Sequence, residues 1–237
     1  MKLQATITYQ LSEIIKSSVI FYAILFSALF IPAIWSDTLE FTGTEMATVI
    51  FIFVMGLNSF RANFLFAQVN GVSRKTQFAG LIVTMLAISG VLAIVDITYT
   101  TFSGSLLTTV SLFSMIYEQS GLFALSPVLL FLVNFTWHVL LYAMVALLGY
   151  FIHLVYYRSN LIMKLAVSII PPVFFIFIVP YLVYANPAFA RWISQLANLL
   201  LGFSDSPNPA YAMGAFGFFF VVFSFGSFLL IRRAPVK

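Results

Sequence analysis

RANFLFAQVNGVSRKTQF, residues 61–78, lies between two strongly apolar runs and carries three basic residues and no acidic one. We call this stretch the connector. Gly71 can adopt a positive φ at low cost, and the Ser73 side chain is placed to cap a helix that begins at Arg74. The connector is therefore predicted to contain a tight turn followed by a capped helix.

The part of the connector that precedes Gly71 is predicted to be a short amphipathic helix. Phe64, Leu65 and Val69 recur at helical spacing, while Asn63 and Gln68 point elsewhere. A helix with this pattern lies flat at a membrane surface.

The composition identifies the class of protein. Of the 237 residues, 62% are hydrophobic and only 8% are charged, and the mean hydropathy is +1.07, which excludes a soluble core with a wetted surface. We expect one membrane domain over residues 1–237. The absence of Cys excludes a disulfide framework and a Cys-based metal site.

Six apolar runs are long enough to cross the hydrocarbon region, which needs about 17 residues or more. They are residues 19–35, 44–60, 78–95, 125–152, 161–184 and 210–231. Residues 2–17 predict a separate amphipathic helix before the first span, and Asn186-Pro187 predicts the start of a short outer helix between the fifth and sixth. The predicted fold class is an all-α integral membrane protein with six transmembrane helices.

The charges separate across the six predicted spans. Ten of the eleven Lys and Arg residues fall on the side of the termini, and only Arg191 falls on the other. The positive-inside rule therefore predicts that both termini and the connector are cytoplasmic. The net charge of +4 is explained by this distribution, and no nucleic-acid partner is expected.

A resemblance to a known family rests on Asn70-Gly71-Val72-Ser73-Arg74-Lys75-Thr76-Gln77-Phe78, placed between the second and third of six spans. This arrangement resembles the first cytoplasmic loop of ABC-2 type permeases, the membrane subunits of ABC exporters. The short outer helix predicted after Asn186-Pro187 resembles the re-entrant helices that type V exporters of this family carry between the fifth and sixth spans. In that family the loop carries a coupling helix that docks on a separate ATPase subunit. The implied coupling residues here are Phe64, Phe66, Asn70, Gly71, Val72, Ser73, Arg74 and Lys75.

The resemblance also implies the partners. Two ATPase subunits would hold ATP and Mg, and a second permease copy, identical or related, would complete the path in a bacterial plasma membrane. This chain has no GxxxxGK[ST] phosphate loop, so it is not expected to be an enzyme or to bind a cofactor itself.

Polar residues inside the spans are candidates for the substrate path: Asn58, Asp96, Asn134 and His138. Asp96 would contact substrate or couple protons, but the simpler interpretation, which we favour, is that it faces water at the end of the third span. His138 and His153 are 15 positions apart with no Cys or nearby carboxylate, so no metal site is expected.

The sequence is best interpreted as the permease subunit of an ABC exporter for an amphipathic cargo such as a peptide, a drug or a lipid-like molecule. Two alternatives stay open. One is a proton-coupled carrier that uses Asp96 or Glu118, and the other is a membrane anchor or assembly subunit that transports nothing.

Overall fold

The computed structural model describes residues 2–35, 40–106, 108–120, 126–203 and 207–232. In chain order the elements are α1 (Lys2–Trp35), β1 (Glu40–Thr42), α2 (Glu45–Val69), α3 (Arg74–Leu106), β2 (Thr108–Val110), α4 (Leu112–Tyr117), α5 (Pro127–Arg158), α6 (Leu161–Val173), a π-helical segment (Phe174–Ile178), α7 (Val179–Ala185), α8 (Pro187–Leu201) and α9 (Pro209–Arg232). Six helical stretches are long and apolar enough to cross a membrane, which confirms the predicted all-α fold class. We call α6, the π-helical segment and α7 together the fifth span.

The predicted separate helix over residues 2–17 is wrong, because α1 runs without interruption to Trp35. Residues 2–31 contain neither Gly nor Pro, so nothing in the sequence ends the helix before the first span. Within residues 3–17 the buried side chains are Thr6, Gln10 and Ile14, which recur every four positions. The Thr6 methyl group lies against Gly80 of α3, so this face packs on protein.

The centre of the bundle is the crossing of α2 and α5, where two glycines bring the backbones together. A Cβ atom at Gly56 would collide with the carbonyl oxygen of Ala146, and one at Gly149 would collide with the carbonyl oxygen of Phe53. Small residues at helix crossings permit this close approach in membranes. The remaining core forms around the crossing and includes Ile52, Met85, Leu147 and Leu154.

A cap of short elements closes the end of the bundle opposite the connector. β1 pairs in parallel with β2, and α4 follows after Ser111, whose side chain accepts the Ser114 N–H. Phe113 and Tyr117 of α4 are buried against Trp137 of α5, because two aromatic side chains four positions apart share one helix face. The Tyr117 hydroxyl donates to the Leu201 carbonyl, and burial raises its pKa.

The fifth span differs from the rest of the bundle, since none of its described side chains is buried. The outer helix predicted after it is confirmed as α8. Asn186 caps α8 by accepting the N–H groups of Ala188 and Phe189, and Gly202 ends it with a φ of 71°.

Candidate functional site

The connector begins as the end of α2. No separate coupling helix or surface helix precedes Gly71, because α2 continues unbroken from the membrane to Val69. Its last turn closes with the Val72 N–H on the Ala67 carbonyl at 2.8 Å and the Gly71 N–H on the Gln68 carbonyl at 3.1 Å. This hydrogen-bond pair is a Schellman motif, and Gly71 supplies the required positive φ of 59°.

The turn then leads directly into α3, as predicted. The Thr76 N–H donates to the Ser73 side-chain oxygen at 3.2 Å, so Ser73 is the N-cap of a helix that begins at Arg74. Val72 is 7% exposed and points inward between the two helices. The turn is therefore rigid, because both helix ends that flank it are satisfied.

The two phenylalanines predicted as docking residues do not protrude. Phe64 is 1% exposed and packs against Phe60 and Tyr157. Phe66 stacks on Tyr9 of α1, with ring centroids 4.0 Å apart. Because α2 continues as one helix along the bundle, its aromatic face packs on α1 and α5. The rings of Phe64 and Phe66 therefore do not project from the bundle toward a partner.

The two basic residues of the turn are in different environments. The Arg74 guanidinium donates to the carbonyls of Ile231 and Arg232, at 3.2 and 2.6 Å, and so caps the C-terminal end of α9. It also lies over the Phe64 ring at 5.9 Å. Lys75 is exposed. Arg74 is thus committed to a contact within the chain, whereas Lys75 remains accessible.

A different set of side chains is exposed at this end of α2. Val69 is 86% exposed and Leu65, one turn earlier, is 40% exposed. Asn70, Gly71, Ser73 and Lys75 are exposed beside them. We call the exposed set the tip: Leu65, Val69, Asn70, Gly71, Ser73 and Lys75. Leu65 and Val69, four positions apart on α2, are exposed side by side among these polar residues.

At the other end of α2 a carboxylate is buried inside the bundle. Asp96 of α3 is 3% exposed. One of its oxygens accepts from the Tyr22 hydroxyl at 2.8 Å and the Thr48 hydroxyl at 3.2 Å, and its other oxygen accepts from the Tyr142 hydroxyl. We call Asp96, Tyr22, Thr48 and Tyr142 the Asp96 cluster. It ties together α1, α2, α3 and α5.

The interpretation that Asp96 faces water at a helix end is therefore wrong. The predicted third span stopped at residue 95, but α3 continues to Leu106, which places Asp96 within the helix. Its partners lie 46 to 74 positions away in the sequence, so their proximity depends on helix packing. The available signal was that Tyr22, Thr48 and Tyr142 are each polar within an apolar run.

Of the other residues predicted for the substrate path, His138 is buried and Asn58 is exposed. His138 is 1% exposed, its Nδ1 lies 3.0 Å from the Asn134 carbonyl oxygen, and its ring contacts the Tyr142 ring. His138 thus lies beside the Asp96 cluster through its contact with Tyr142, whereas Asn134 contributes only its backbone carbonyl and its Oδ1 has no partner among the described residues. Asn58 does not join the cluster, because it is exposed on α2 and its amide donates to the Val54 carbonyl of its own helix.

Glu45 is a buried carboxylate that the sequence analysis did not select. It is 1% exposed, and one oxygen accepts the Leu112 N–H of α4 at 3.1 Å, while its Oε2 has no partner among the described residues. Glu45 lies one turn before Thr48, so the same end of α2 contacts both the cap and the Asp96 cluster. Within the described part of the chain no group of three or more His, Cys, Asp or Glu side chains forms a metal site.

No family model, no curated protein and no solved structure matches this chain.

Proposed function

We propose that this chain is the permease subunit of an ABC exporter and that the tip is its contact with a separate ATPase subunit. The observation that carries the proposal is the 86% exposure of Val69 at the end of a membrane-crossing helix closed by a rigid turn. Apolar side chains at such a position gain from burial in a partner. The sequence of residues 70–78 and its place between the second and third spans support the same partner.

The length of α2 supports an accessible tip. Its 25 residues extend for about 38 Å at 1.5 Å per residue, whereas the hydrocarbon region of a bilayer is about 30 Å thick. Roughly 8 Å of α2, about one and a half turns, then projects beyond the hydrocarbon. Leu65 and Val69 lie in this projecting part if the helix begins at the opposite interface.

The two ends of α2 suggest how movement is transmitted. A rigid helix that tilts at the tip also moves at its far end, where Glu45 and Thr48 contact α4 and Asp96. Closure of two ATPase subunits on ATP and Mg would shift α2 in this way. The Asp96 cluster would then have different hydrogen bonds in the two states, which is what coupling requires.

The proposed assembly has two permease copies, identical or related, in the plasma membrane of a bacterium, with the tip and both termini in the cytoplasm. The described basic residues near the tip end include Arg74, Lys75, Arg158, Lys164 and Arg232, in agreement with the positive-inside rule. The cargo would be an amphipathic peptide, drug or lipid-like molecule.

The test is affinity purification of the full chain from its native membranes in a mild detergent, with mass spectrometry to find any bound P-loop ATPase. We expect a stoichiometric ATPase with the unaltered chain. Val69→Asp should reduce its recovery at least tenfold, because a carboxylate would be buried in an apolar contact. The matched control is Leu161→Asp, which changes an apolar residue at the start of α6 that is 74% exposed.

Three outcomes would overturn the proposal. They are the absence of any P-loop ATPase from the unaltered sample, full recovery with Val69→Asp, and equal loss with Leu161→Asp. Arg74 is unsuitable as a test residue, because its loss uncaps α9 and would change the fold at the same time.

A proton-coupled carrier is the second candidate, and the burial of Asp96 favours it. A carboxylate held between four helices inside the membrane is characteristic of proton-transfer sites. Such a carrier would run without an ATPase, so the same purification separates the two candidates.

A further inference from the structure

A large cleft separates the fifth span from the rest of the bundle. It lies near the end of the bundle that carries Arg158, Lys164 and Arg232, which we call the basic end. It has a volume of about 1180 Å³ and lies between α2, the end of α5, and α6 with the π-helical segment. Small-molecule sites commonly have volumes of about 300–1,000 Å³. The cleft is therefore large enough for a ligand with a long tail.

The fifth span has an irregular hydrogen-bond pattern where it lines the cleft. Pro171 and Pro172 have no N–H to donate to the carbonyls of Val167 and Ser168, and a π-helical turn follows directly. Prolines and π-helical turns are the usual causes of a bent helix. The prolines and Ser168 line the cleft, so its wall includes the irregular part of the helix.

The two ends of the cleft differ in chemistry. Lys164 lies three residues from the start of α6, and His153 and Tyr156 lie opposite it near the end of α5. Phe175 and Ile176 lie about 17 Å further along the span than Lys164, at 1.5 Å per residue, and form an apolar wall. The cleft thus has a polar, cationic end at Lys164 and His153 and an exposed apolar wall at Phe175 and Ile176.

The charge at the cationic end has no acidic counterpart. No Asp or Glu lines the cleft, and the one ion pair among the described residues joins Lys16 to Glu13. Lys164 is half-buried and has no acidic side chain beside it among the described residues that line the cleft. An anionic group would supply the missing counter-charge.

We propose that this cleft binds an anionic amphiphile, with a carboxylate or phosphate head at Lys164 and a hydrocarbon tail along Phe175 and Ile176. The head matches Lys164, the one Lys or Arg among the described residues that line the cleft, and the tail covers side chains that are 63–68% exposed. This inference does not depend on the ATPase-coupled function, because it uses different residues and a different partner.

The experiment uses the purified full chain in detergent with two photoactivatable probes, palmitic acid and phosphatidylglycerol, each bearing a diazirine on its acyl chain. We expect crosslinks in residues 152–157 and 164–176. Unlabelled palmitate should compete and hexadecanol, which has the same tail without a charge, should not. Labelling by palmitic acid alone identifies a free single-chain ligand, and labelling by phosphatidylglycerol identifies a bilayer lipid.

Lys164→Gln should weaken binding of the labelled probe about tenfold, the change that corresponds to about 1.4 kcal/mol. Lys164→Arg should retain binding, because it keeps the charge. The matched control is Lys75→Gln, which removes an exposed lysine at the same end of the bundle but outside the cleft. Unchanged binding with Lys164→Gln, or equal competition by hexadecanol, would overturn the proposal.

A second copy of the chain is the competing occupant of the cleft. The chain contains no Cys, so Ser168→Cys introduces a single thiol in the cleft wall. Disulfide-linked dimers formed through residue 168 in native membranes would show that another copy fills the cleft, and the proposal would fail. Absence of that crosslink together with the Lys164-dependent labelling would support it.

Discussion

The crossing of α2 and α5 and the fifth span are the two extremes of this molecule. At the crossing the backbones meet at Gly56 and Gly149, and the side chains around them are almost fully buried. In Leu161–Ala185 no residue of the most apolar window is buried. Hydropathy does not explain the difference, since the fifth span has the higher value, 2.4 against 1.7 and 2.0 for the helices of the crossing.

The positions of small residues, unlike hydropathy, account for the difference in burial between the crossing and the fifth span. Helices in lipid gain little from burying apolar surface, because lipid tails are equally apolar, and they associate where small residues allow close contact. The fifth span contains no Gly and has three prolines within it. Its bulky side chains suit contact with lipid, a ligand or a second copy, whereas the crossing forms the fixed frame of the bundle.

The largest change in the free energy of unfolding is expected at the crossing of α2 and α5, the frame of the bundle. Gly149→Ala places a methyl group against the α2 backbone, which cannot move aside as a side chain can. We expect the free energy of unfolding to fall by about 3 kcal/mol or more, at the upper end of overpacking effects. Reversible unfolding in mixed detergent and SDS micelles measures this change.

The matched control for that substitution is Gly214→Ala in α9, where an added Cβ meets no atom within 4 Å. Helix propensity favours Ala over Gly by about 1 kcal/mol, so this variant should be unchanged or slightly more stable. Opposite signs for the two variants are expected. Equal effects would mean that the α2–α5 contact is not the frame of the bundle.

An intermediate effect is expected at the Asp96 cluster. Tyr142→Phe removes one of three hydroxyl donors to the carboxylate and should cost at least about 0.6 kcal/mol, the average for interhelical hydrogen bonds in membranes, and at most about 1.7 kcal/mol, the maximum. Tyr184→Phe in the fifth span, where the side chain is 91% exposed, should change stability by less than about 0.5 kcal/mol. The same micelle titration compares the two, and equal values would contradict a stabilising role for the cluster.

The sequence predicted the features that depend on local chemistry. The six spans, the Gly71 turn, the Ser73 cap and the outer helix after Asn186 are all confirmed, because each follows from residues within a few positions of one another. Helix ends without a Gly, Pro or capping residue to mark them were harder to predict from the sequence. The prediction of a boundary near residue 18 was wrong because amphipathic spacing alone does not end a helix.

Features that depend on packing between distant helices could not be read in this way. Phe64 and Arg74 were predicted from the sequence to contact the ATPase. In the structure Phe64 packs on Phe60 and Tyr157, and Arg74 donates to a carbonyl at the end of α9. The cleft beside Lys164 likewise depends on where the fifth span leaves the bundle. Local patterns give the elements and their caps, and the contacts of a given side chain require the packed structure.

The smallest expected effect tests the fifth span. Ile170→Ala removes a side chain that is 63% exposed and should change the free energy of unfolding by no more than about 0.5 kcal/mol in micelles that hold one copy. The matched control is Ile52→Ala in α2, fully buried, which should cost about 2 kcal/mol because it leaves a cavity. If Ile170→Ala costs as much as Ile52→Ala, the fifth span packs on protein in the micelle. It would then belong to the frame, and the contrast between the two regions would be wrong.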